Sequence, residues 1–452
     1  MRDIALLFVL FPMLYSCLRY VHIGAMFWIW TALASPSSFV FGFLLELPLN
    51  KLAVAGACVS LVVDRTKQRL FFDSPFMLHT LLVIQGVISV TFGLTEIVRT
   101  YDLLDRVVKV WILALFIHLA NRKREQIHGI IITFTLSAGV HGILEAFKYI
   151  ITLGSHKVQP APSIGDNNYL AMMILMVIPF MLYIAKYSAE KYTKFAFQMM
   201  ALFSAIGLVA TASRGGLVAG MILGAMLLVR SKRKATGVLI AIVLGVSLVT
   251  LAPSSWWDRM DTIKTAESDG SFMSRVASWK MNTLVALDRP FLGGGYSSME
   301  DPRVFRDYLP QFGMLDMVPT DAPVGPLAAH SIYFEVIGDL GFIGFALFLA
   351  MLASNVYSVR RVKIACRGRK DLEWADDLAS AMLQMLVVYM VAGAALSAAY
   401  LELFYVQISV LSILRRSLAE NYGVKAALPG IVPIGGRPAA GALVPAGWQR
   451  PQ

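Results

Sequence analysis

A chain of 452 residues that is 57% hydrophobic and 15% charged, with a mean hydropathy of +0.65, is excluded from the soluble globular class. Its net charge of +11 would suit nucleic acid, but the basic residues are spread through short loops between apolar runs, so no nucleic-acid partner is expected. Cys17, Cys58 and Cys366 offer the long polar loop no disulfide, and no HExxH or Cys/His spacing suggests a metal site.

Apolar runs recur from residue 4 to residue 415, and crossing the hydrocarbon takes about 20 such residues each. They are continuous rather than alternating, so the spans are helices. The expected fold class is an all-α polytopic membrane protein of about 12–13 transmembrane helices, with one long periplasmic loop. Residues 4–34, interrupted by Pro12 and Arg19, are two short spans or one bent one, which leaves the side of the N-terminus open. No cleavable signal peptide is expected, because the first apolar run lacks an extended basic leader and a clear cleavage site.

Further spans are expected at 47–63, 76–96, 104–120 and 127–150. Asn167 opens one that runs to 186; 195–211 and 216–229 follow, joined by the turn Ala212-Ser213-Arg214-Gly215-Gly216. Gly216, Gly220 and Gly224 line one helix face and suit close packing. A span at 236–252 leads to the polar insertion 253–330, and 331–357 returns from it. The run 378–414 holds two spans, with a break near Tyr400-Leu401-Glu402. The Gly/Pro/Ala-rich tail from Gly423 has no periodicity and is expected to be disordered. Four regions result: 1–165, N-terminal and transmembrane; 166–357, a core holding the insertion; 358–420, a cytoplasmic loop and the last spans; and the tail 421–452.

Arg65/Lys67/Arg69, Arg122/Lys123/Arg124, Lys186/Lys191/Lys194, Arg230/Lys232/Arg233/Lys234 and the run from Arg360 to Lys370 fall in alternate loops. Lys/Arg excess in short loops marks the cytoplasmic side. That puts 97–103, 150–166, 212–216 and 253–330 outside. The insertion carries ten carboxylates, seven Lys/Arg and three Trp; a helix bundle in lipid has little reason to carry so polar a segment unless it covers something.

Arg214 lies at the outer membrane edge, against the positive-inside bias. It is either a snorkelling side chain or, beside a helix N-terminus and a Gly-Gly turn, part of a phosphate site. Arg275 lies in a stretch from Phe272 to Leu287 with helical spacing, whose Val276, Trp279 and Leu284 suit it to the membrane surface. Singly, such an Arg reads as solvated. Gly293-Gly294-Gly295 reads as a flexible turn. His330, where the insertion meets the membrane, is a hydrogen-bonding cap or a proton acceptor for a hydroxyl. Glu335, Gly338, Gly341 and Gly344 follow it into the next span. Asp166-Asn167-Asn168 opens a span and supplies its N-cap. Asp105/Lys109 and Glu145/Lys148 read as intramembrane ion pairs, although charges within spans commonly face a cavity.

In order along residues 165–350, Gly165-Asp166-Asn167-Asn168, Ser213-Arg214-Gly215-Gly216, the loop with Arg275 and Pro290-Phe291-Leu292-Gly293-Gly294-Gly295, and His330 with Glu335 resemble the O-antigen ligase/polymerase superfamily of bacterial inner-membrane glycosyltransferases. The N-terminal part, including Leu47-Pro48-Leu49, is similar to the O-glycosylation ligases associated with exosortase A systems. The resemblance implies glycan transfer from an undecaprenyl-diphosphate carrier to an acceptor protein, lipid or glycan, at the periplasmic face of a multi-pass inner-membrane protein among membrane lipids, without a cofactor. It assigns catalysis to His330, Arg214 and Arg275, and substrate binding to Asp166, Asn168, Lys109 and Glu335. Ser331 and the Gly-Asp-Asn-Asn sequence depart from commoner variants, which bears on the acceptor rather than on the reaction.

Chemistry supports the same expectation. Nucleotide sugars are confined to the cytoplasm and the sequence has no nucleotide-binding fingerprint, so an outward-facing transferase needs a lipid-linked donor. Two guanidinium groups suit the charge that grows on a departing lipid diphosphate. The alternatives are a polymerase of the same superfamily and a lipid or solute transporter. A transporter would show inverted repeats and midplane charges, and neither is evident in the sequence.

Overall fold

The computed structural model describes residues 2–40, 45, 47–64, 70–156, 158, 165–231, 234, 235, 237, 245, 270–315, 318–424, 432 and 433. The expected span 236–252 lies almost wholly outside these residues. So do the first part of the insertion with Trp256 and Trp257, five of the basic loop residues, and most of the tail. The described chain is helical: α1 (Arg2–Arg19), α2 (Val21–Ala34), α3 (Leu49–Val63), α4 (Ser74–Thr91), α5 (Val98–Ala120), α6 (Arg124–Ile151), α7 (Asn167–Tyr187), α8 (Lys191–Ala210) and α9 (Arg214–Arg230) precede the insertion. Within it are α10 (Gly270–Asp288) and α11 (Pro302–Tyr308); α12 (Ile332–Cys366), α13 (Glu373–Gly393) and α14 (Glu402–Tyr422) follow. A two-residue antiparallel pairing joins Phe71–Phe72 to Val432–Pro433.

Six of these helices are long and apolar enough to cross a membrane, and α1, α2 and α3 contain shorter apolar stretches. Residues 4–34 form two helices rather than one bent one, and the run 378–414 divides into α13 and α14, as the break at Tyr400-Leu401-Glu402 implied. Helix α7 is central: 83% of its apolar window is buried, against 39% for α8. It packs against α6, α8, α9 and α13.

Helix starts follow local chemistry. Asp73, Asp166, Ser213 and Ser331 each accept a hydrogen bond from a backbone N–H of the turn they cap. Away from those caps, Lys186 of α7 reaches Glu373 (2.8 Å) and Asp377 (2.5 Å) of α13, and Arg230 of α9 also reaches Asp377 (3.4 Å). These pairs tie one end of the bundle together. A second, fully buried pair joins Asp73 to Arg415 at 2.6 Å, with Ser412 Oγ donating to the same carboxylate at 2.7 Å.

The insertion has a core of its own. Ala277, Met281, Leu284 and Val285 of α10 pack with Met299, Val304, Phe305, Tyr308 and Phe312. The apolar face expected to rest on the membrane is therefore occupied by protein, and α10 packs against α12. Gly293-Gly294-Gly295 is likewise a fixed turn. Gly341 leaves the helical region (φ 67°, ψ −170°) and interrupts the α12 ladder. The carbonyls of Gly338 and Asp339 then accept from Gly294 N (2.9 Å) and Gly295 N (3.0 Å), while Phe342 N donates to Pro290 O at 2.8 Å. From α4, Gln85 Nε2 donates to Phe291 O (2.7 Å) and Leu340 O (3.1 Å), and Ser89 Oγ lies 2.6 Å from the carbonyls of Leu292 and Asp339. The insertion is latched into a break in a membrane helix.

Of the glycines along α9, a Cβ on Gly216 would come within 2.8 Å of Ala171 Cβ and one on Gly220 within 3.0 Å of Leu208, whereas Gly224 has nothing within 4 Å. Two of the three lie in the close packing that their spacing suggested.

Candidate active site

The N-terminal ends of α7 and α9 are tied side by side. Asn167 Nδ2 donates to Thr211 O at 2.7 Å, and Ser213 Oγ donates to Asn168 Oδ1 at 2.8 Å while accepting from Gly216 N at 3.0 Å. Asp166 accepts from Tyr169 N at 2.8 Å, so the expected N-cap is in place. Ahead of the α9 cap, Ala212 holds a left-handed conformation (φ 49°), a strained state for a residue with a Cβ.

A pocket opens at this junction, lined by Asn168, Ser213, Gly215, Gly216, Arg275, Ala392, Ala395 and Leu396. Arg214 is the first residue of α9, half-buried between two lining residues. Arg275 arrives from the second turn of α10, so the insertion folds back onto the bundle and supplies one pocket wall. The third wall is the connection from α13 to α14.

His330 sits beside the pocket. Its backbone N–H donates to Ser397 Oγ at 2.7 Å, one residue past the lining Leu396, and its φ of 48° is left-handed. It immediately precedes the Ser331 cap of α12. Burial is the main cause that lowers the pKa of the half-buried imidazole below its ordinary value; Arg275 lowers it further, and Asp166 opposes both. Charge effects therefore reach His330 from two sequence-distant groups, Arg275 and Asp166.

Two expected substrate-binding residues lie elsewhere. Lys109 pairs with Asp105 on α5, both more than half exposed, and does not line the pocket. Glu335, on the first turn of α12, accepts from Ala399 N at 2.8 Å and so ties α12 to the α13–α14 connection. Lys148 pairs with Glu145 at 2.5 Å, as expected, and His156 reaches the same carboxylate at 2.7 Å. Sequence reasoning missed Ala395, Leu396 and Ser397. Their only signal was a small-residue stretch between two apolar runs, which reads as a break and nothing more.

Chemically, the pocket favours an anion. The N-termini of α7 and α9 carry partial positive charge beside it and Arg275 lines it. Beside it stands an imidazole held mainly neutral, with a nitrogen available to accept a proton.

Residues 199–349 match a family model described as O-Antigen ligase, a stretch that takes in Arg214, Arg275, His330 and Glu335. Residues 1–189 match a family of unknown function, DUF5935, which takes in Lys109, Asp166 and Asn168. No curated protein matches the chain. Over residues 199–349 the chain is thus similar to the O-antigen ligases, and six helices long and apolar enough to cross a membrane mark it as an integral membrane protein.

Proposed function

We propose that the protein transfers a glycan from an undecaprenyl-diphosphate carrier to an acceptor hydroxyl at the periplasmic face of the bacterial inner membrane. The observation that supports this reading is a pocket at the N-termini of α7 and α9, lined by Arg275 and by the residues on either side of Arg214, with the His330 backbone bonded to Ser397 next to the lining Leu396. Arg214 and Arg275 hold the diphosphate, and Asn168 and Ser213 complete the cradle. The acceptor oxygen attacks the anomeric carbon as its proton passes to His330. The bond between that carbon and the phosphate oxygen breaks, and undecaprenyl diphosphate leaves with the electron pair, its charge met by the guanidinium groups. The basic loops after α7 and α9 support the sidedness, since Lys186 and Arg230 lie at the ends of these helices away from the pocket. The similarity of the N-terminal part to exosortase-associated O-glycosylation ligases favours an acceptor not itself linked to lipid.

The test uses purified protein in liposomes with an undecaprenyl-diphosphate-linked glycan and candidate acceptors. Arg→Lys keeps the charge but loses the bidentate fork. Arg214→Lys and Arg275→Lys are each expected to lose about a hundredfold or more in transfer while inserting normally. His330→Ala is expected to lose transfer yet retain donor binding. Wild-type transfer by any of the three removes that residue from the site. Growth of the lipid-linked glycan itself, instead of transfer to another acceptor, would identify a polymerase.

A further inference from the structure

We propose that Trp279 is a positioning residue for this transfer: its stack on Phe334 sets the register between α10 and α12 that brings Arg275 and His330 to the same pocket. The inference rests on the function proposed above. Trp279 follows Arg275 by one helical turn on α10, and Phe334 follows His330 by four residues into α12. Their rings are nearly parallel, at 8°, with centroids 5.1 Å apart. The ring pair therefore lies one turn past Arg275 on α10 and, on α12, just inside the helix that His330 precedes.

Other contacts along the seam keep α10 beside the His330 segment and α12. Ser278 Oγ donates to Ala328 O at 2.6 Å. Further along, Gly338 makes room for Asn282, whose Oδ1 would lie 2.2 Å from a Cβ there. Asn282 Nδ2 is itself engaged with Ser278 O at 2.9 Å. The latch at Gly293–Gly295 fixes the far end of α10, and the ring stack is an aromatic contact to α12 at the end bearing Arg275. The indole N–H is shut off from solvent and has no acceptor among the described residues. That is a cost a phenylalanine would not carry, and it argues that Trp279 works here through its ring rather than through a hydrogen bond. The pair shares the geometry that aromatic partners favour when offset.

A shift of Arg275 would show in the titration of His330. The charged groups that act on that imidazole are Arg275 from α10 and Asp166 from the α7 cap. The α13–α14 connection presents the uncharged Ser397, and α12 carries Glu335 further along. Since Arg275 disfavours the imidazolium, its withdrawal moves the acid limb of the pH–rate profile upward.

The experiment measures kcat, donor KM and the pH–rate profile of reconstituted Trp279→Leu and Trp279→Phe, with undecaprenyl-diphosphate-linked glycan as donor. Trp279→Phe retains a ring and is expected to stay within about threefold of the wild type with an unmoved acid limb. Trp279→Leu is expected to lose about tenfold to a hundredfold in kcat, with the acid limb displaced upward. Phe334→Leu removes the other ring and carries the same expectation, which decides the matter if Trp279→Leu fails to accumulate. Ser278→Ala serves as the structural control, with lower thermal stability and an unmoved limb. Wild-type kcat and an unmoved limb in both leucine variants, alongside an inactive Arg275→Lys, overturn the positioning role and leave the transfer reading standing. Full transfer by Arg275→Lys would instead remove Arg275 from the site, and no transfer by the wild type would defeat the transfer reading itself.

Discussion

His330 concentrates the residue-scale argument. Its left-handed backbone is strained, and its N–H is engaged by Ser397, so its main chain is held by the α13–α14 connection. Burial and Arg275 lower its pKa from the ordinary 6.5, and Asp166 raises it. A base must be neutral to act, so transfer rises with pH through the folded pKa and is flat above it. The acid limb of the wild type is therefore expected below pH 6.5. Asp166→Asn keeps an N-cap competent side chain but removes the opposing charge. The limb should move further down in this variant, as read from a pH–rate profile; an upward move would show that Asp166 does not act on His330 by its charge.

At the scale of elements, the latch and the paired helix starts hold the pocket. Gly293 (φ 68°) and Gly341 (φ 67°) face each other so closely that a Cβ on Gly293 would meet Gly341 N at 2.5 Å, and one on Gly341 would meet Pro290 O at 2.7 Å. Backbone on both sides cannot yield as a flexible side chain would. Gly341→Ala and Gly293→Ala are each expected to cost about 1–3 kcal/mol or more, seen as a lower thermal midpoint in detergent and less protein in the membrane. Gly224→Ala should be neutral or stabilising by about 1 kcal/mol, because the site is open and helical. The same substitution in one chain thus separates packing and backbone geometry from helix propensity. Equal behaviour of all three variants would dismiss the latch.

For the whole molecule the decisive question is sidedness. The basic residues predict that the insertion lies outside and the α7–α8 connection inside. Val324 is fully exposed in the insertion and Tyr192 is 87% exposed at the start of α8. In a chain whose exposed Cys58 is replaced by Ser, Val324→Cys should react with a membrane-impermeant thiol reagent in intact spheroplasts, and Tyr192→Cys only after lysis. The reverse pattern would turn the molecule over and remove the periplasmic donor from consideration. Both the latch and the α10–α12 seam make the insertion part of the bundle, so topology and site stand together.

Sequence alone determined that this is an all-α membrane protein, where most helices run and which residues cap them, while Arg275 was singled out only through the family resemblance. Those are properties of neighbouring residues: hydropathy over a turn or a span, the side chain at a helix start, the sign of a loop. Tertiary structure alone decided that Lys109 stays on an exposed face with Asp105 while Asn168 lines the pocket, although both are polar residues of apolar surroundings. It also decided that Gly293–Gly295 closes a break in α12, that Trp279 meets Phe334, and that Asp73 and Arg415, 342 residues apart, form a buried pair. Each of these depends on which chain-distant helix faces which, and a contact between distant segments leaves no periodicity, cap or charge bias in either segment by which to read it.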